Sequence, residues 1–553
     1  MGLREDLNRY TPRKEQDEAL EFVKKIHANK PDNKFYLMNL PVGTGKSHLA
    51  LMISQWYLNI VSPDSKVDII TPGKILQDQY DDEYESITNL KGKDNYNCSS
   101  YNCSCAQGKE FNKLNKTVCD FCPYDSAKEA YIGGRVSLTN FHLYLIHSLY
   151  TPKLLENRDS RLLIVDECHL LDEVMSDFIS IKITDTVIKK LRFDNEDEII
   201  SKLKYVATID DYIQFLEYFK GELILTIAKT TNNMISTPST AKNTKRDLKL
   251  SKILDYVNDD VKSIQVMADL KQYETKIDVF LKEYNDDRDN WVLEKSYNEK
   301  TKQYELSLEP IWSYKYLNKY VWDNYDTVIL MSGTILSKKI FSELNGLDLK
   351  KCVYYSIPSP FPIENRQIFY MPLGKMSYAK KEETFVNYKS YLDKILNKYK
   401  DSKGIIHTNS FELSTWIKND IKNKRLLFHD SANKTEMLKK HFDSDDPTVL
   451  ISPSISTGVS FDGDKSRFQI IAKVPYPSLA SQKNKLRQKN NPEWYAWKTC
   501  AILQQMCGRS IRSKTDFADT IIIDGSFGDI IKYSSEYLPI WFQESIKRVN
   551  VKL

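Results

Sequence analysis

The segment LPVGTGKS, residues 40–47, has the residue types and spacing of a phosphate-binding loop. Its two glycines allow the backbone N–H groups to turn inward, and the N-terminus of a following helix adds partial positive charge. Lys46 would bridge the β- and γ-phosphates of a nucleotide, and the Ser47 hydroxyl would ligate Mg²⁺. The position that is usually the first glycine of such a loop is Leu40. The predicted loop residues are Pro41, Val42, Gly43, Thr44, Gly45, Lys46 and Ser47.

The segment LLIVDECH, residues 162–169, supplies the acidic groups that such a loop needs. Its apolar residues predict a buried strand, which would deliver two carboxylates to the carboxyl edge of a parallel sheet, where ligands bind. Asp166 would hold Mg²⁺ through water, and Glu167 could orient or deprotonate the attacking water. His169 is placed to sense the γ-phosphate from the next turn. Together the two segments predict a nucleotide-hydrolysing site.

A third segment, QQMCGRSIR at residues 504–512, contains Gln505 and two arginines. Arg509 and Arg512 are three residues apart, so on a helix both would reach the same face. They could meet the γ-phosphate as arginine fingers from a second domain, which work only when the two domains close. Taken alone, the segment fits an ordinary surface helix with two arginines better.

Five of the nine cysteines lie between residues 98 and 122. So tight a cluster in a polar segment disfavours buried free thiols. Its two close pairs, CSC and CDFC, suit a structural zinc site, and four thiolates equally suit a 4Fe–4S cluster. Spacing alone leaves zinc and iron–sulfur equally supported.

Strands alternating with helices must position these groups, which predicts parallel sheets with right-handed crossovers. Two such α/β regions are separated by a region with helical apolar spacing. The predicted fold is α/β, with two parallel-sheet domains and two insertions in the first. The predicted boundaries are residues 1–90, 135–175 and 306–348 for the first parallel-sheet domain, 91–134 for a cysteine domain, 176–305 for a helical insertion, and 349–553 for the second parallel-sheet domain.

Length and composition fit a protein of several globular domains. The chain has 553 residues, 41% of them hydrophobic and 28% charged, and a net charge of +4. A nucleic-acid surface would therefore have to come from local patches. No apolar run approaches the roughly 18 residues that would cross a bilayer, and the N-terminus has no apolar signal core. These features predict no membrane association and a reducing, cytoplasmic setting. The compact length and the Lys-, Asn- and Tyr-rich composition fit a bacterium or a phage-infected host.

In their order, the motifs resemble the XPD/DinG iron–sulfur family of superfamily 2 helicases over about residues 10–527. The resemblance implies that the two parallel-sheet domains are RecA-like motor domains, and that the two insertions in the first are a small Fe–S domain and a helical arch-like insertion. YTPRKEQ is similar to the family's adenine-side motif, which places Arg13 and Gln16 near the base. MSGTIL resembles its coupling motif, with Ser332 and Thr334 between nucleotide and nucleic acid. The resemblance implies a catalytic role for Gln505 beside the two arginines. The nucleic-acid contacts that it implies are Thr71, Gln79, Thr408, Asn409, Thr457 and Gly458.

One motif departs from the family pattern. ISTGVSFDGD, residues 455–464, has Thr457 and Ser460 where the family commonly has Glu and Asp, whereas Gly458 and Phe461 fit. Two carboxylates are therefore missing from a loop to which the resemblance assigns a coupling role.

The resemblance also favours iron–sulfur over zinc, because the family places its cluster domain between the same two motifs. It implies Cys98 as the first ligand, Cys119 as the third and Cys122 as the last. Cys105 is preferred as the second ligand, with Cys103 as the alternative.

The expected function is an ATP-dependent DNA helicase, active as a monomer on single-stranded and forked DNA, for which the resemblance implies 5′-to-3′ movement. Its cofactors would be ATP, Mg²⁺ and a 4Fe–4S cluster, or Zn²⁺ in place of the cluster, and its pathway replication, repair or recombination. The alternatives are an RNA-directed helicase or remodeller with the same motor, and a zinc-stapled nucleic-acid-binding protein that does not unwind. The segment SQKNKLRQKNNPEWYAWK, residues 481–498, could line a nucleic-acid path or form an exposed helix packed by its aromatic residues.

Overall fold

The computed structural model describes residues 2–101, 103–115, 118–236, 250–298, 303–430, 433–453, 459 and 461–550. Within these residues the chain forms two seven-stranded parallel sheets and one three-stranded antiparallel sheet. The predicted pair of parallel-sheet α/β domains is confirmed. In the same residues no helix is long and apolar enough to cross a membrane.

The strands in chain order are β1 (Phe35–Asn39), β2 (Lys66–Thr71), β3 (Thr88–Asn89), β4 (Val136–Asn140), β5 (Ser160–Asp166), β6 (Ile181–Thr184), β7 (Trp291–Asn298), β8 (Gln303–Pro310), β9 (Thr327–Ser332), β10 (Cys352–Ser356), β11 (Ile368–Tyr370), β12 (Gly404–His407), β13 (Leu426–Phe428), β14 (Val449–Ser452), β15 (Phe468–Ile471), β16 (Asp519–Ile522) and β17 (Ile546–Arg548).

The helices are α1 (Leu3–Asn8), α2 (Lys14–Asn29), α3 (Lys46–Trp56), α4 (Lys74–Glu83), α5 (Cys105–Asn115), α6 (Pro123–Gly133), α7 (Phe141–Tyr150), α8 (Lys153–Arg158), α9 (Leu171–Ile179), α10 (Asp185–Lys190), α11 (Glu196–Tyr205), α12 (Ile209–Ser236), α13 (Leu250–Asp286), α14 (Tyr314–Tyr320), α15 (Lys338–Leu344), α16 (Lys381–Lys398), α17 (Phe411–Asp420), α18 (Lys434–Asp443), α19 (Gln482–Asn490), α20 (Pro492–Cys507), α21 (Phe527–Tyr533) and α22 (Ile540–Glu544).

The first sheet has the strand order β10-β1-β9-β5-β2-β4-β3. Its strands are buried on both faces, so that Leu37 and Val165 face one apolar cluster while Met38 and Ile164 face the other. Since β1, β9 and β5 are neighbours, the segments that follow these three strands meet at one edge of the sheet. Strand β10 pairs with β1, so the first sheet continues to Ser356, beyond the boundary predicted at residue 349.

The second sheet has the order β13-β14-β12-β15-β16-β11-β17 and is parallel throughout. Helix α20 lies beside it and ends at Cys507, where the backbone leaves the helical conformation at Gly508. Arg509 and Arg512 therefore follow the helix and do not lie on it, which corrects the helical spacing expected for the two arginines.

The insertion between β5 and β9 consists mainly of helices, of which α12 and α13 are the longest and pack against each other. The sheet β6-β8-β7 combines residues from both ends of the insertion, with β6 from its start and β7 and β8 from its end. Sequence periodicity did not predict this sheet, in which β7 pairs with its neighbour in the chain, β8, and β8 pairs with β6 across more than 100 residues. The cysteine domain lies between β3 and β4 and contains α5 and α6.

Candidate nucleotide site

The phosphate-type loop connects β1 to α3, as the sequence predicts. Gly43 and Gly45 have φ angles of 86° and 73°, a region that favours glycine. The Thr44 hydroxyl donates to the carbonyl of Pro41 over 2.9 Å, which closes the turn. No side chain caps the N-terminus of α3 among the described hydrogen bonds. The helix therefore presents uncapped N–H groups beside Lys46, an arrangement suited to phosphate oxygens.

Lys46 and the acidic strand end form the centre of the site. The Lys46 ammonium lies 2.9 Å from Glu167 Oε1. Burial lowers the pKa of Lys46, but the carboxylates of Glu167 and Asp166 outweigh it and raise that pKa overall. For Glu167, burial raises the pKa, yet Lys46 and His169 lower it well below its usual range. The pair is thus a lysine cation facing a carboxylate anion.

Asp166 is almost fully buried and accepts a hydrogen bond from the Tyr80 hydroxyl over 3.1 Å. Burial raises the pKa of Asp166 to about 6, against the opposing effect of Lys46. Glu167 has a φ of 50°, which is uncommon for a residue with a side chain and directs the carboxylate out of the strand. Tyr80 was not predicted, since nothing local links it to a strand end 86 residues away.

His169 joins the two domains. Its Nδ1 lies 2.8 Å from the Ser332 hydroxyl and 3.3 Å from Glu167 Oε2, and its Nε2 lies 2.5 Å from the Gln505 amide nitrogen. Gln505 also donates to the Thr334 hydroxyl over 3.2 Å. Ser332 and the predicted second-domain glutamine therefore converge on one imidazole, and Thr334 contacts that glutamine beside it.

A cavity of about 820 Å³ opens between the domains and is lined from both sides. Lys46, Glu167 and His169 line it from the first domain, and Arg509 and Arg512 from the second. Burial lowers the pKa of Arg509 to about 10, and the nearby charge of Arg512 adds to this effect. The turn after α20 thus brings both arginines to the cavity that contains the phosphate-type loop. The sequence predicted that they would reach it from one face of a helix, whereas they reach it from this turn.

Arg13 and Gln16 contact the loop from α2. The Gln16 amide donates to the carbonyl of Gly45 over 2.9 Å, and the Arg13 guanidinium donates to the carbonyl of Gly43. Phe361, from the segment after β10, packs on the other side, where a Cβ added to Gly43 would lie 2.2 Å from its ring. Phe361 is a site residue that sequence reasoning did not assign.

The predicted nucleic-acid residues are dispersed. Gln79 is exposed on α4 and lines the same cavity. Thr71 is buried, and its hydroxyl lies 3.4 Å from the Gly73 carbonyl. Thr408 is also buried, and its hydroxyl contacts Ser410, Ser414 and Ser452 within the second domain.

Three further predicted positions complete this set. Asn409 donates to the carbonyl of Lys473 over 2.7 Å, so its side chain is also used inside the second domain. Thr457 and Gly458 lie outside the described residues.

The clustered cysteines approach one another in pairs. The sulfur atoms of Cys98 and Cys119 are 3.7 Å apart, and the thiol of Cys105 interacts with that of Cys122. Cys103 interacts with Cys98, and a backbone hydrogen bond of 2.8 Å also joins these two residues. Across the described residues, however, no group of three or more His, Cys, Asp or Glu side chains is arranged to hold a metal ion.

A loop at a helix N-terminus, an acidic strand end and arginines from a second sheet, all around one cleft, define the class of two-domain nucleotide-dependent motors. Two family models match the chain. The helicase C-terminal domain matches residues 378–545, and the res subunit of type III restriction enzymes matches residues 9–204. These two matches, together with the XPD-like fold, support the expected likeness to the XPD/DinG-like superfamily 2 helicases.

Among curated proteins, the chain is 24% identical over 269 residues to a probable ATP-dependent helicase of Methanocaldococcus jannaschii, covering 44% of this chain and 40% of that protein. It is 26% identical over 112 residues to a regulator of telomere elongation helicase 1 homolog of Caenorhabditis briggsae, covering 17% of this chain and 11% of that one. The chain thus spans less than half the length of these relatives.

Among solved structures, an XPD helicase superposes with a TM-score of 0.62 at 15% identity, over 98% of this chain and all of that one. Xpd4 of S. tokodaii superposes with a TM-score of 0.55 at 15% identity, over 97% of this chain and all of that one. At this identity the likeness shows the fold.

Proposed function

We propose that the chain is an ATP-dependent DNA helicase that moves 5′-to-3′ on single-stranded DNA and unwinds forked duplexes in replication, repair or recombination. The observation that carries this proposal is the cleft in which Lys46 and Glu167 of one domain face Arg509 and Arg512 of the other. Nucleotide hydrolysis in such a cleft changes how closely two domains approach, and two domains that each grip a strand convert this change into movement.

Each residue of the nucleotide cleft has its own role in ATP hydrolysis. Lys46 exchanges its contact with Glu167 for the β- and γ-phosphates, and the N–H groups of the loop bind the remaining oxygens. Glu167 then accepts a hydrogen bond from the attacking water and orients it. Arg509 and Arg512 stabilise negative charge that develops on the transferred phosphoryl group. Arg13 and Gln16 hold the base side of the loop.

Mg²⁺ fits the chemistry of the oxygen donors at this site. Asp166 is a buried carboxylate at the strand end, and Ser47 is a hydroxyl on the first turn of α3. These two residues would hold the ion, which would neutralise phosphate charge and orient the oxygens. Glu167 remains available to the water because Lys46 no longer pairs with it.

A 4Fe–4S cluster is part of the proposal. Cys98, Cys105, Cys119 and Cys122 would hold it, with Cys103 as the alternative to Cys105. Two observations support the fit: the four thiols already meet in two pairs, and a Cβ added to Gly108 would lie 2.6 Å from the Cys98 sulfur, so α5 packs directly on the cluster of thiols. Thiolates are the ligands of iron–sulfur clusters and of structural zinc alike.

The cluster is tested by metal analysis of anaerobically purified protein. The wild type should contain iron and acid-labile sulfide, and Cys122→Ser should lose both. Cys352→Ser is the matched control, because Cys352 lies on β10, away from the cluster, beside the hydroxyl of Ser342. Zinc in place of iron in the wild type would establish the zinc alternative, and unchanged iron in Cys122→Ser would contradict the ligand assignment.

The proposal includes a monomer in a reducing, cytosolic setting. Both halves of the nucleotide cleft come from one chain, and all nine cysteines are free thiols. The experiment that tests the function compares ATP hydrolysis with single-stranded DNA and with single-stranded RNA, followed by unwinding of duplexes that carry a 5′ or a 3′ tail. Stimulation by RNA alone would favour the RNA-directed alternative, and hydrolysis without strand separation would favour a binding protein that does not unwind.

A further inference from the structure

Helix α20, which we call the bridge helix (Pro492–Cys507), belongs to the cores of both domains. Trp494 and Trp497, near its start, are buried in the apolar cluster of the first domain and the insertion. Leu503 and Met506, near its end, are buried in a cluster of the second domain. The Trp497 indole N–H donates to the carbonyl of Ile335 over 2.9 Å. A rigid element therefore passes from one domain to the other.

The preceding helix, α19, fastens the start of the bridge helix to the first domain through Arg487. The Arg487 guanidinium donates to both carboxylate oxygens of Asp172, over 2.8 and 3.2 Å. Its Nε donates to the carbonyl of Ile311 over 2.5 Å, and Asp172 also accepts from the Ser313 hydroxyl over 2.6 Å. With only 4% of Arg487 exposed, this is a buried, two-point ion pair.

Asp172 is not a remote partner. It lies in the first turn of α9, three residues after His169, and therefore just behind the segment that carries the catalytic carboxylates. The Arg487 guanidinium also lies over the rings of Trp312 and Trp494, 4.8 and 5.4 Å from their centroids. Arg487 thus touches both the helix that follows His169 and the start of the bridge helix.

These contacts form a closed circuit. Asp172 follows His169 by three residues and forms the ion pair with Arg487. The Arg487 guanidinium in turn stacks on Trp494 at the start of the bridge helix. The end of that helix carries Gln505, whose amide returns to His169 at 2.5 Å. Arg509 and Arg512 follow within seven residues. The circuit fixes the distance between the water-orienting carboxylate and the arginines of the other domain.

We propose that Arg487 is a positioning residue for nucleotide hydrolysis, which acts through Asp172 and the bridge helix to hold Gln505 and the two arginines in register with Glu167. This inference rests on the proposed ATP hydrolysis and assigns a role to a segment, residues 481–498, for which the sequence suggested a nucleic-acid path or an exposed helix. The segment instead packs between the domains, with Arg487, Trp494 and Trp497 all buried.

Arg487→Lys is the informative substitution. Lysine keeps the positive charge but has neither the two-point fork for Asp172 nor the planar group that stacks on the tryptophans. The matched control is Lys339→Ala, which removes an exposed ion pair of 3.0 Å between Lys339 and Glu493. That pair also joins the first domain to the start of the bridge helix, but it lies outside the circuit.

The experiment measures strand-stimulated ATP hydrolysis at varied ATP concentration, with thermal unfolding in parallel. Arg487→Lys should lower kcat by about 10- to 100-fold, because small misplacements of groups that act together cost this much. KM should change far less than kcat, since the phosphate loop is untouched. Lys339→Ala should leave both constants at their wild-type values. A kcat of Arg487→Lys equal to that of the wild type would overturn the inference.

A double-variant cycle separates positioning from a merely structural role. Because Arg487 would position Gln505 and the two arginines through one helix, Arg487→Lys and Gln505→Ala together should slow hydrolysis by clearly less than the product of their separate effects. Multiplicative losses would overturn the inference. If Arg487→Lys does not fold, the isosteric Asp172→Asn, which breaks the same pair from the other side, replaces it in the cycle. A wild type that fails to hydrolyse ATP would refute the proposed function, whereas an active wild type with unaffected variants refutes only this inference.

Discussion

Replacing Glu167 with glutamine should separate nucleotide binding from hydrolysis. Glutamine has the same shape but no charge, so it cannot act as a base or hold the water through a carboxylate. Loss of a positioned base typically slows the chemical step by about 10²- to 10⁴-fold. Single-turnover hydrolysis by Glu167→Gln should fall within that range.

The same substitution should strengthen ATP binding. In the nucleotide-free protein Lys46 is paired with Glu167 at 2.9 Å, and the two side chains are 11% and 29% exposed. ATP must break this pair before Lys46 can reach the phosphates. A partly buried hydrogen bond between charged groups is worth about 1.5 kcal/mol, so removing it should tighten the dissociation constant roughly tenfold.

Equilibrium titration with a fluorescent ATP analogue measures the binding, and quenched-flow hydrolysis of radiolabelled ATP measures the chemical step. Glu21→Gln is the matched control, because Glu21 is an exposed residue of α2 whose ion pair is with Lys24. Weaker ATP binding by Glu167→Gln, or hydrolysis at the wild-type rate, would refute the assigned roles of Lys46 and Glu167.

Two further predictions concern buried groups outside the cleft. Burial lowers the pKa of His441 to about 4, while its ring contacts the Thr448 hydroxyl and the Lys465 carbonyl. Because the folded protein disfavours the charged imidazolium of His441, the neutral ring contributes fully to the free energy of unfolding above about pH 6.5. This contribution is lost as the pH falls toward 4. Urea unfolding should therefore show the wild type losing about 2 kcal/mol more than His441→Gln between about pH 7 and pH 5, and equal losses would contradict this. Arg158→Met leaves the buried Asp68 carboxylate without its cation and should lower the free energy of unfolding by about 3–5 kcal/mol. Adding Asp68→Asn should restore most of that loss, because no uncompensated charge then remains. Additive losses in the double variant would contradict the importance of the pair.

Local sequence pattern was enough to predict the phosphate-type loop, the acidic strand end and the two parallel sheets. Each of these depends on residues that are close in the chain, such as the apolar run before Asp166 or the glycines at positive φ. The order of the strands is not local. Only the structure shows that β1, β9 and β5 are neighbours, which brings Ser332 to within 2.8 Å of His169.

The contacts that sequence reasoning missed join distant parts of the chain. Asp172 and Arg487 are 315 residues apart, and neither belongs to a short motif. The one available signal was an arginine beside tryptophans in a segment otherwise rich in exposed charge. Phe361 was passed over because its role depends on the close approach of its ring to Gly43, which no spacing in the sequence encodes.

Directional unwinding tests the central proposal most directly. The purified protein is mixed with ATP, Mg²⁺ and a labelled DNA duplex that carries a single-stranded tail at either the 5′ or the 3′ end. We predict that the wild type separates the 5′-tailed duplex and that Lys46→Ala separates neither. Failure of the wild type to separate either duplex, or separation of the 3′-tailed duplex alone, would contradict it.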